Sequence, residues 1–244
     1  MGGAARGEGE IAPDRPDLTN GTKTVAPGVL QIETGLQYAR TRVGGGESER
    51  RLGLQLALRT GLTDTLEAQI AGEPLVRLRG AADDTGSGDL VLALKYRFLE
   101  ARGGWPALGI QPSVRVPVAG APIGTERPDF TLLALASFDL PARFDLDVNA
   151  GVAAVGQTRP GGYLLQGLAS ASLSREIVSG LSAFTELVFA SRAERDARNA
   201  VGLNAGIIYL VTKDLAFDGA MGTSLAGPGP DYAVTAGLSV RFGR

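Results

Sequence analysis

The chain has 244 residues, with 24 basic and 26 acidic side chains and a formal net charge of −2, so no overall field favours nucleic acid as a partner. It contains no cysteine and no histidine, which excludes disulfides, thiolate metal sites and hydrolysis that relies on a histidine base. We therefore expect no catalytic residue, no metal ion and no cofactor.

The first predicted unit, residues 1–28, is polar, rich in proline and glycine, and shows no alternation of apolar residues. Its opening residues, MGGAARGEGEIAPDRPD, lack the apolar core of a secretory signal, so an exported protein is expected to begin here at or near its mature end. The unit is expected to be either a free tail or a plug inside the second unit, residues 29–244. A plug would place Asp14, Arg15 and Asp17 against charges of the wall.

The second unit consists of amphipathic segments separated by turn residues. Apolar and polar side chains alternate with a period of two, which is typical of β-strands, and no segment keeps a helical period. The apolar runs are too short for a transmembrane helix. The pattern predicts about twelve strands, at residues 29–43, 51–62, 66–79, 89–101, 107–119, 129–140, 144–157, 163–176, 181–193, 198–211, 215–226 and 232–242.

The connections between these strands alternate in length. Short breaks such as TDT, PAR, VSG and TKD alternate with looser ones such as GGGESE, AADDTGSG, APIGTERP and GPGPD. Outer-membrane barrels have this arrangement, with short periplasmic turns at one end and longer extracellular loops at the other. The alternation therefore favours an up-and-down barrel in which the looser connections are extracellular.

The segment GDLVLALKYRF shows what the two faces of a strand carry. Leu90, Leu92 and Leu94 share one face, while Lys95 and Arg97 share the other. In the other strands, too, one face is largely uncharged and the opposite face mixes small residues with isolated charges. Because a charge facing lipid is costly and a narrow interior suits small residues and paired charges, we predict that the apolar face meets lipid. The fold prediction is thus all-β, a single antiparallel up-and-down transmembrane barrel.

Two other architectures remain open at this point. A soluble or periplasmic barrel would turn the apolar face inward and bind an apolar ligand there. A closed structural barrel of the outer membrane would have the predicted faces without conducting. An outer-membrane enzyme is a further alternative, and without histidine it would need a facing pair of carboxylates with divergent pKa values.

Charges of both signs fall on the predicted inward face. Because an unpaired buried charge is costly, we expect them mainly to neutralise one another across the lumen rather than to form a ring that selects anions. The candidate lumen-lining residues are Glu33, Arg59, Glu67, Lys95, Arg97, Arg115, Asp147, Glu186, Asp218 and Arg241.

The last predicted strand ends in GLSVRF, residues Gly237 to Phe242. A glycine followed by alternating apolar residues and an aromatic residue resembles the C-terminal signal by which outer-membrane barrels are recognised for insertion. Recognition by the barrel-assembly machinery through Gly237–Phe242 is therefore expected.

Longer stretches carry a closer resemblance. DRPDLTNGTKTVAPGVLQIETG, RTGLTDTLEAQI, SGDLVLALKYRF, SVRVPVAG and NAGIIYLVTKDLAFDGAMG resemble the outer-membrane transporter family named after the meta-pathway of phenol degradation. The resemblance implies a porin-like β-barrel of the bacterial outer membrane that passes small molecules, aromatic or apolar ones among them. It implies outer-membrane lipid and a small-molecule solute as partners, and it leaves the oligomeric state open.

Overall fold

A computed structural model describes residues 9–43, 47–81, 83–158 and 161–243. Parts of the predicted N-terminal unit and of the loops GGGESE, AADDTGSG and TRPGG lie outside these residues. Among the described residues, no helix is long and apolar enough to cross a membrane. The strands are β1 (Leu30–Arg42), β2 (Ser48–Gly61), β3 (Leu66–Arg79), β4 (Asp84–Gly86), β5 (Leu90–Leu99), β6 (Ala107–Val116), β7 (Asp129–Leu140), β8 (Phe144–Gln157), β9 (Gly162–Val178), β10 (Leu181–Ala190), β11 (Ala200–Thr212), β12 (Leu215–Ala226) and β13 (Tyr232–Phe242).

Each strand pairs antiparallel with its neighbours, and the sheet closes on itself because β1 pairs with both β2 and β13. The short strand β4 pairs only with residues Val76–Leu78 of β3, whereas β5 pairs with residues Leu66–Gly72 of the same strand. The barrel wall therefore has twelve strands, which confirms the predicted architecture. The short β4, within the segment AADDTGSGD, was not predicted.

The short turns lie at one end of the barrel, together with the start of β1 and the end of β13. They include a 3-10 turn at Pro141–Arg143 between β7 and β8. The opposite end carries the longer connections, such as residues 117–128 and 191–199. We call the first end periplasmic and the second extracellular, following the usual arrangement of such barrels.

The two faces of the wall differ as the alternation predicts. Leu92 and Leu94 of β5 are 41% and 45% exposed on the outside of the barrel, whereas Lys95, on the opposite face of the same strand, is fully buried. Exposed leucines, valines and aromatic residues continue around the barrel and form an apolar outer belt. An apolar exterior around a polar interior is the arrangement of a membrane barrel, and it rules out the alternative with the faces reversed.

Candidate solute pathway through the barrel

Arg59 of β2 is the central cation of the buried interior, being 2% exposed. Its Nε and Nη2 donate to the two carboxylate oxygens of Glu67 at 2.7 and 3.1 Å, and its Nη1 donates to Glu33 at 2.6 Å. The strand register brings these groups together, because Arg59 lies opposite Gln31 of β1 and Gln69 of β3. Such a two-pronged contact fixes both the charge and the orientation of the carboxylates.

The N-terminal segment, which we define as residues 9–29, joins this cluster from inside the barrel. Asp14 accepts from Lys95 Nζ at 2.8 Å on both of its oxygens and lies 3.3 Å from Arg59 Nη2. The backbone N–H groups of Asp14 and Arg15 donate to Glu33 at 3.2 and 3.0 Å. The segment is thus bound by wall residues of β1, β2 and β5 at a single point.

Arg15 extends the contact to the other side of the β1–β13 seam. Its Nη2 donates to Asp218 of β12 at 3.1 Å and to Thr235 of β13 at 2.8 Å, and its Nη1 donates to Gln55 of β2. Two wall glycines leave room for this segment. A Cβ on Gly35 would lie 2.3 Å from the Arg15 guanidinium, and one on Gly61 would lie 2.1 Å from the carbonyl oxygen of Val25.

The next part of the segment is held by β8 and β10. Glu186 accepts from the backbone N–H of Leu18 at 2.9 Å and from both the N–H and the hydroxyl of Thr19. Asn20 and Asn149 exchange two hydrogen bonds of 2.8 Å. Wall side chains therefore satisfy backbone groups that would have no partner in an irregular segment away from water.

The segment crosses to β7 and β3 before it enters the wall. Thr22 N–H donates to Ser137 at 2.9 Å, and Val25 N–H donates to Glu67 at 2.7 Å. Its hydrogen bonds with side chains thus reach inward residues of at least nine wall strands, so residues 12–25 lie inside the barrel.

A cavity of about 110 Å³ remains beside the segment, towards the periplasmic end. Its charged lining residues are Asp14, Asp17, Lys23, Asp139, Asp145 and Asp147. Asp17 accepts from the Ser172 hydroxyl at 3.0 Å. Burial, the larger cause, and the nearby carboxylate of Glu186 together raise the pKa of Asp17 to about 8.

A second cavity, of about 250 Å³, opens on the extracellular side of the segment. Its aliphatic lining comes from Val91, Ala153, Val155 and Leu168, and its polar lining comes from Ser113, Arg115, Asp129, Thr131 and Gln166. The Nε of Arg115 lies 3.9 Å from Asp129, and this arginine side chain is half exposed. The cavity therefore offers apolar surface beside a weakly engaged guanidinium.

The predicted lumen residues occupy three kinds of position. Buried and bound to the segment or to its cluster are Glu33, Arg59, Glu67, Lys95, Glu186 and Asp218. Arg115 lines the cavity on the extracellular side, the upper cavity, and Asp147 lines the cavity on the periplasmic side, the lower cavity. Arg97 and Arg241 lie instead at the periplasmic end, where they bind the carbonyl of Asp64 at 3.0 Å and the carboxylate of Asp214 at 3.0 Å.

Uncharged inward residues take part in the same network and were not among the candidate lumen-lining residues. They are Gln31, Gln55, Gln69, Asn149 and Asn204. Each falls on the face that also carries the inward charges, so the alternation would have found them. Glutamine and asparagine occur too often on exposed faces for residue type alone to identify them.

A closed antiparallel barrel with an apolar belt outside and a charged, hydrogen-bonded interior defines the chain as a β-barrel of the bacterial outer-membrane type. The chain belongs to the family described as "Putative MetA-pathway of phenol degradation", which matches residues 13–242. The resemblance noted in the sequence is therefore confirmed. No curated protein matches the sequence.

Solved structures with the same fold include an outer-membrane channel from Pseudomonas putida F1, which is 17% identical with a TM-score of 0.75 and coverage of 96% of this chain and 100% of that one. The NanC porin is 11% identical with a TM-score of 0.59, covering 86% and 98% of the two chains. The CymD monoaromatic hydrocarbon channel is 9% identical with a TM-score of 0.51, covering 90% of each. At these identities the likeness shows the fold.

Proposed function

We propose that the protein is a channel of the bacterial outer membrane for small molecules, aromatic or apolar ones among them, and that residues 9–29 act as its plug. The observation that carries the proposal is the cavity of about 250 Å³ that opens above the segment, with aliphatic and polar side chains in its lining. An apolar cavity of about 150 Å³ is enough to hold benzene, so a single-ring solute fits this space. While the plug is in place, the solute would bind in this cavity, and movement of the plug would let it pass towards the periplasm.

Membership of a family named after phenol degradation and the fold of the CymD monoaromatic hydrocarbon channel support this class of solute. In this proposal eight of the ten predicted lumen residues position the plug or line the two cavities, Arg97 and Arg241 bind groups at the periplasmic end, and none of the ten acts as a catalyst. Division of the chain into an N-terminal unit, residues 1–28, which contains most of the plug, and a barrel, residues 29–244, belongs to the same proposal.

A disulfide between plug and wall tests the proposal directly. The hydroxyl oxygens of Thr19 and Ser170 are 2.9 Å apart, and the natural chain has no cysteine. In the variant Thr19→Cys/Ser170→Cys, oxidation is expected to lower the frequency of open events in planar lipid bilayers, and reduction to restore it. Thr19→Cys alone is the control and should not respond to the redox state.

Equal conductance of the oxidised and reduced double variants would contradict plug movement. A chain that inserts as a folded barrel but never conducts, even after removal of residues 1–28, would favour the closed structural barrel instead. Heat-modifiable migration in detergent gels shows in each case whether the barrel is folded.

The solute class can be tested on open channels. Phenol added at the extracellular side is expected to interrupt the ion current, because the ring contacts the aliphatic part of the upper cavity. Val155→Asp places a charge in that lining and is expected to shorten the interruptions. If Val155→Asp leaves them unchanged, phenol does not reside in this cavity.

Two partner proposals accompany the channel. The final strand, β13, pairs along its whole length with β1 and closes the barrel. The barrel-assembly machinery would recognise Gly237–Phe242 and so would bind the strand that closes the barrel. Outer-membrane lipid would cover the apolar belt. Replacing Phe242 with serine is expected to slow insertion in cells and to change the stability of the folded barrel much less.

A further inference from the structure

Arginines cluster on the outer surface of the wall at the extracellular end of β1, β2 and β3. Arg40, Arg50 and Arg79 lie directly opposite one another in a lateral row across these three strands. Arg77 lies one row closer to the membrane, opposite Leu52, and Arg42 lies one row further out, opposite Ser48. We call these five residues the arginine patch.

The patch points away from the lumen. Its residues share the parity of Leu36 on β1, Leu52 on β2 and Leu75 on β3, which are 56%, 43% and 51% exposed in the apolar belt. The inward neighbours Val76 and Leu78, by contrast, are 0% and 3% exposed. The guanidinium groups therefore face the membrane or its surface and do not contribute to the lining of the channel.

Aromatic residues set the depth of the patch in the membrane. The rings of Tyr38 and Tyr232 lie 6.1 Å apart on the adjacent strands β1 and β13, and Tyr232 lies directly opposite Arg40. Tyrosines of membrane barrels mark the boundary between the hydrocarbon core and the headgroups. The arginine row is thus at the level of the lipid headgroups of the outer leaflet.

The patch is poorly neutralised by the protein itself. Two ion pairs engage it, Arg42–Asp231 at 3.6 Å and Arg79–Asp83 at 3.3 Å, and both arginine side chains are at least half exposed. Arg40, Arg50 and Arg77 have no ion pair within the described part of the chain, and the Nε of Arg40 is buried without a hydrogen-bond partner there. Like charges directly opposite one another destabilise a sheet, so this row favours an external anion.

We propose that the arginine patch binds the phosphate groups of the phosphorylated glycolipid of the outer leaflet, lipopolysaccharide. The guanidinium fork matches phosphate oxygens in a two-pronged contact, and the contact strengthens at the edge of the low-dielectric bilayer. The belt below the patch, with Leu52 and Leu75, would contact the acyl chains of the same lipid. This inference requires the outer-membrane location of the proposed function but not conduction.

Binding of purified lipid A to the full chain in detergent tests the inference, with native mass spectrometry as the readout. The variant Arg40→Gln/Arg50→Gln/Arg77→Gln removes the three arginines without ion pairs and so leaves no acid newly unpaired. Each arginine near an anionic lipid surface adds a similar amount to the attraction. The triple variant lacks three of them, so we expect its affinity for diphosphoryl lipid A to fall by at least ~10-fold. Monophosphoryl lipid A is expected to bind the natural chain more weakly than the diphosphoryl form.

The matched control is Arg102→Gln/Arg143→Gln/Arg175→Gln, which removes the same charge from exposed positions at the periplasmic end. It should bind diphosphoryl lipid A like the natural chain. Equal loss in both triple variants would overturn the inference, as would unchanged affinity in the patch variant. Displacement of lipid A by inorganic phosphate at equal concentration would also overturn it, because the patch would then bind a free anion. Heat-modifiable migration confirms folding, and unchanged conductance separates this result from the channel proposal.

Discussion

At the scale of single residues, the interior depends on a few buried cations, of which Arg59 pairs with several carboxylates. Arg59 binds Glu33 and Glu67 and approaches Asp14, all away from bulk water. Removing one partner of a buried ion pair leaves an uncompensated charge, which typically costs about 3–5 kcal/mol. Arg59 therefore holds together both the wall at β1–β3 and the plug.

Arg59→Gln is expected to lower the free energy of unfolding by about 3–5 kcal/mol, measured by urea-induced unfolding of the barrel in lipid vesicles. The control is Arg143→Gln in the turn between β7 and β8, whose pair with Glu176 at 3.4 Å is exposed on both sides. Exposed pairs contribute at most about 1 kcal/mol. Equal losses in the two variants would show that the buried cluster is not the stronger of the two.

A glycine of the wall provides a second residue-scale prediction. The isolated pairing of Pro27 with Gly61 places the plug backbone against β2, and a Cβ at Gly61 would lie 2.1 Å from the Val25 carbonyl oxygen. Gly61→Val is therefore expected to displace residues 25–28 and to raise protease cleavage within the plug of the folded, membrane-inserted protein. Gly120→Val, in an exposed extracellular loop where a Cβ meets nothing within 4 Å and φ lies outside the left-handed region, is the comparison. Unchanged cleavage would mean that β2 does not hold this part of the plug.

At the scale of elements, the sequence predicts the strands well because every strand has to meet the same requirement on its two faces. One face must suit lipid and the other a crowded polar interior, so the period of two persists from β1 to β13. Predicted and observed bounds agree within a few residues, and the strand at residues 129–140 agrees fully. The short β4 escaped prediction because three residues are too few to show a period.

The path of the plug could not be predicted in the same way. Its residues have no period, and their positions depend on inward groups contributed by strands that are far apart in sequence. Arg15 meets Asp218 across 203 positions, for example. Composition suggested that Asp14, Arg15 and Asp17 could pair with the wall. That Glu186 would accept backbone N–H groups of Leu18 and Thr19 has no signal in the local sequence.

The plug, as an element, should respond to pH through Asp17. Besides Ser172 of β9, it faces the carboxylates of Glu186 on β10 and Asp14 on the plug itself, and burial raises its pKa to about 8. Since the docked state binds the proton more tightly than the undocked state, docking is most favourable below the ordinary pKa of 3.8 and weakens as pH rises through about 8. Protease cleavage of the plug is therefore expected to increase between pH 5 and pH 9.

Asp17→Asn removes the titrating group and should flatten this pH dependence while keeping the hydrogen bond from Ser172. Asp83→Asn, an exposed acid of an extracellular loop, is the control and should retain the dependence. A slope that persists in Asp17→Asn would assign the titration to another group.

At the scale of the whole molecule, charge is distributed unevenly around the lumen. The buried cations Arg15, Arg59 and Lys95 lie towards β1–β5 and β12–β13. On the side formed by β7–β10, Asp17, Asp147 and Glu186 have no ion pair within 4 Å in the described residues. The cavity on this side is lined by five acidic residues and one basic residue, Lys23. Once Asp17 ionises as pH rises through about 8, a path past the plug here would therefore run through a negative potential, although the chain as a whole is almost neutral.

This asymmetry predicts that the channel prefers cations. With a potassium chloride gradient across a planar bilayer at pH 8, the reversal potential is expected to have the sign of cation selectivity, because acidic linings raise the local cation concentration. Asp147→Asn removes one charge from the lower cavity and should move the reversal potential towards zero, whereas Asp83→Asn at the exposed loop should leave it unchanged. Anion selectivity, or an equal effect of the two variants, would place the conducting path elsewhere, along the arginine and lysine side of the lumen.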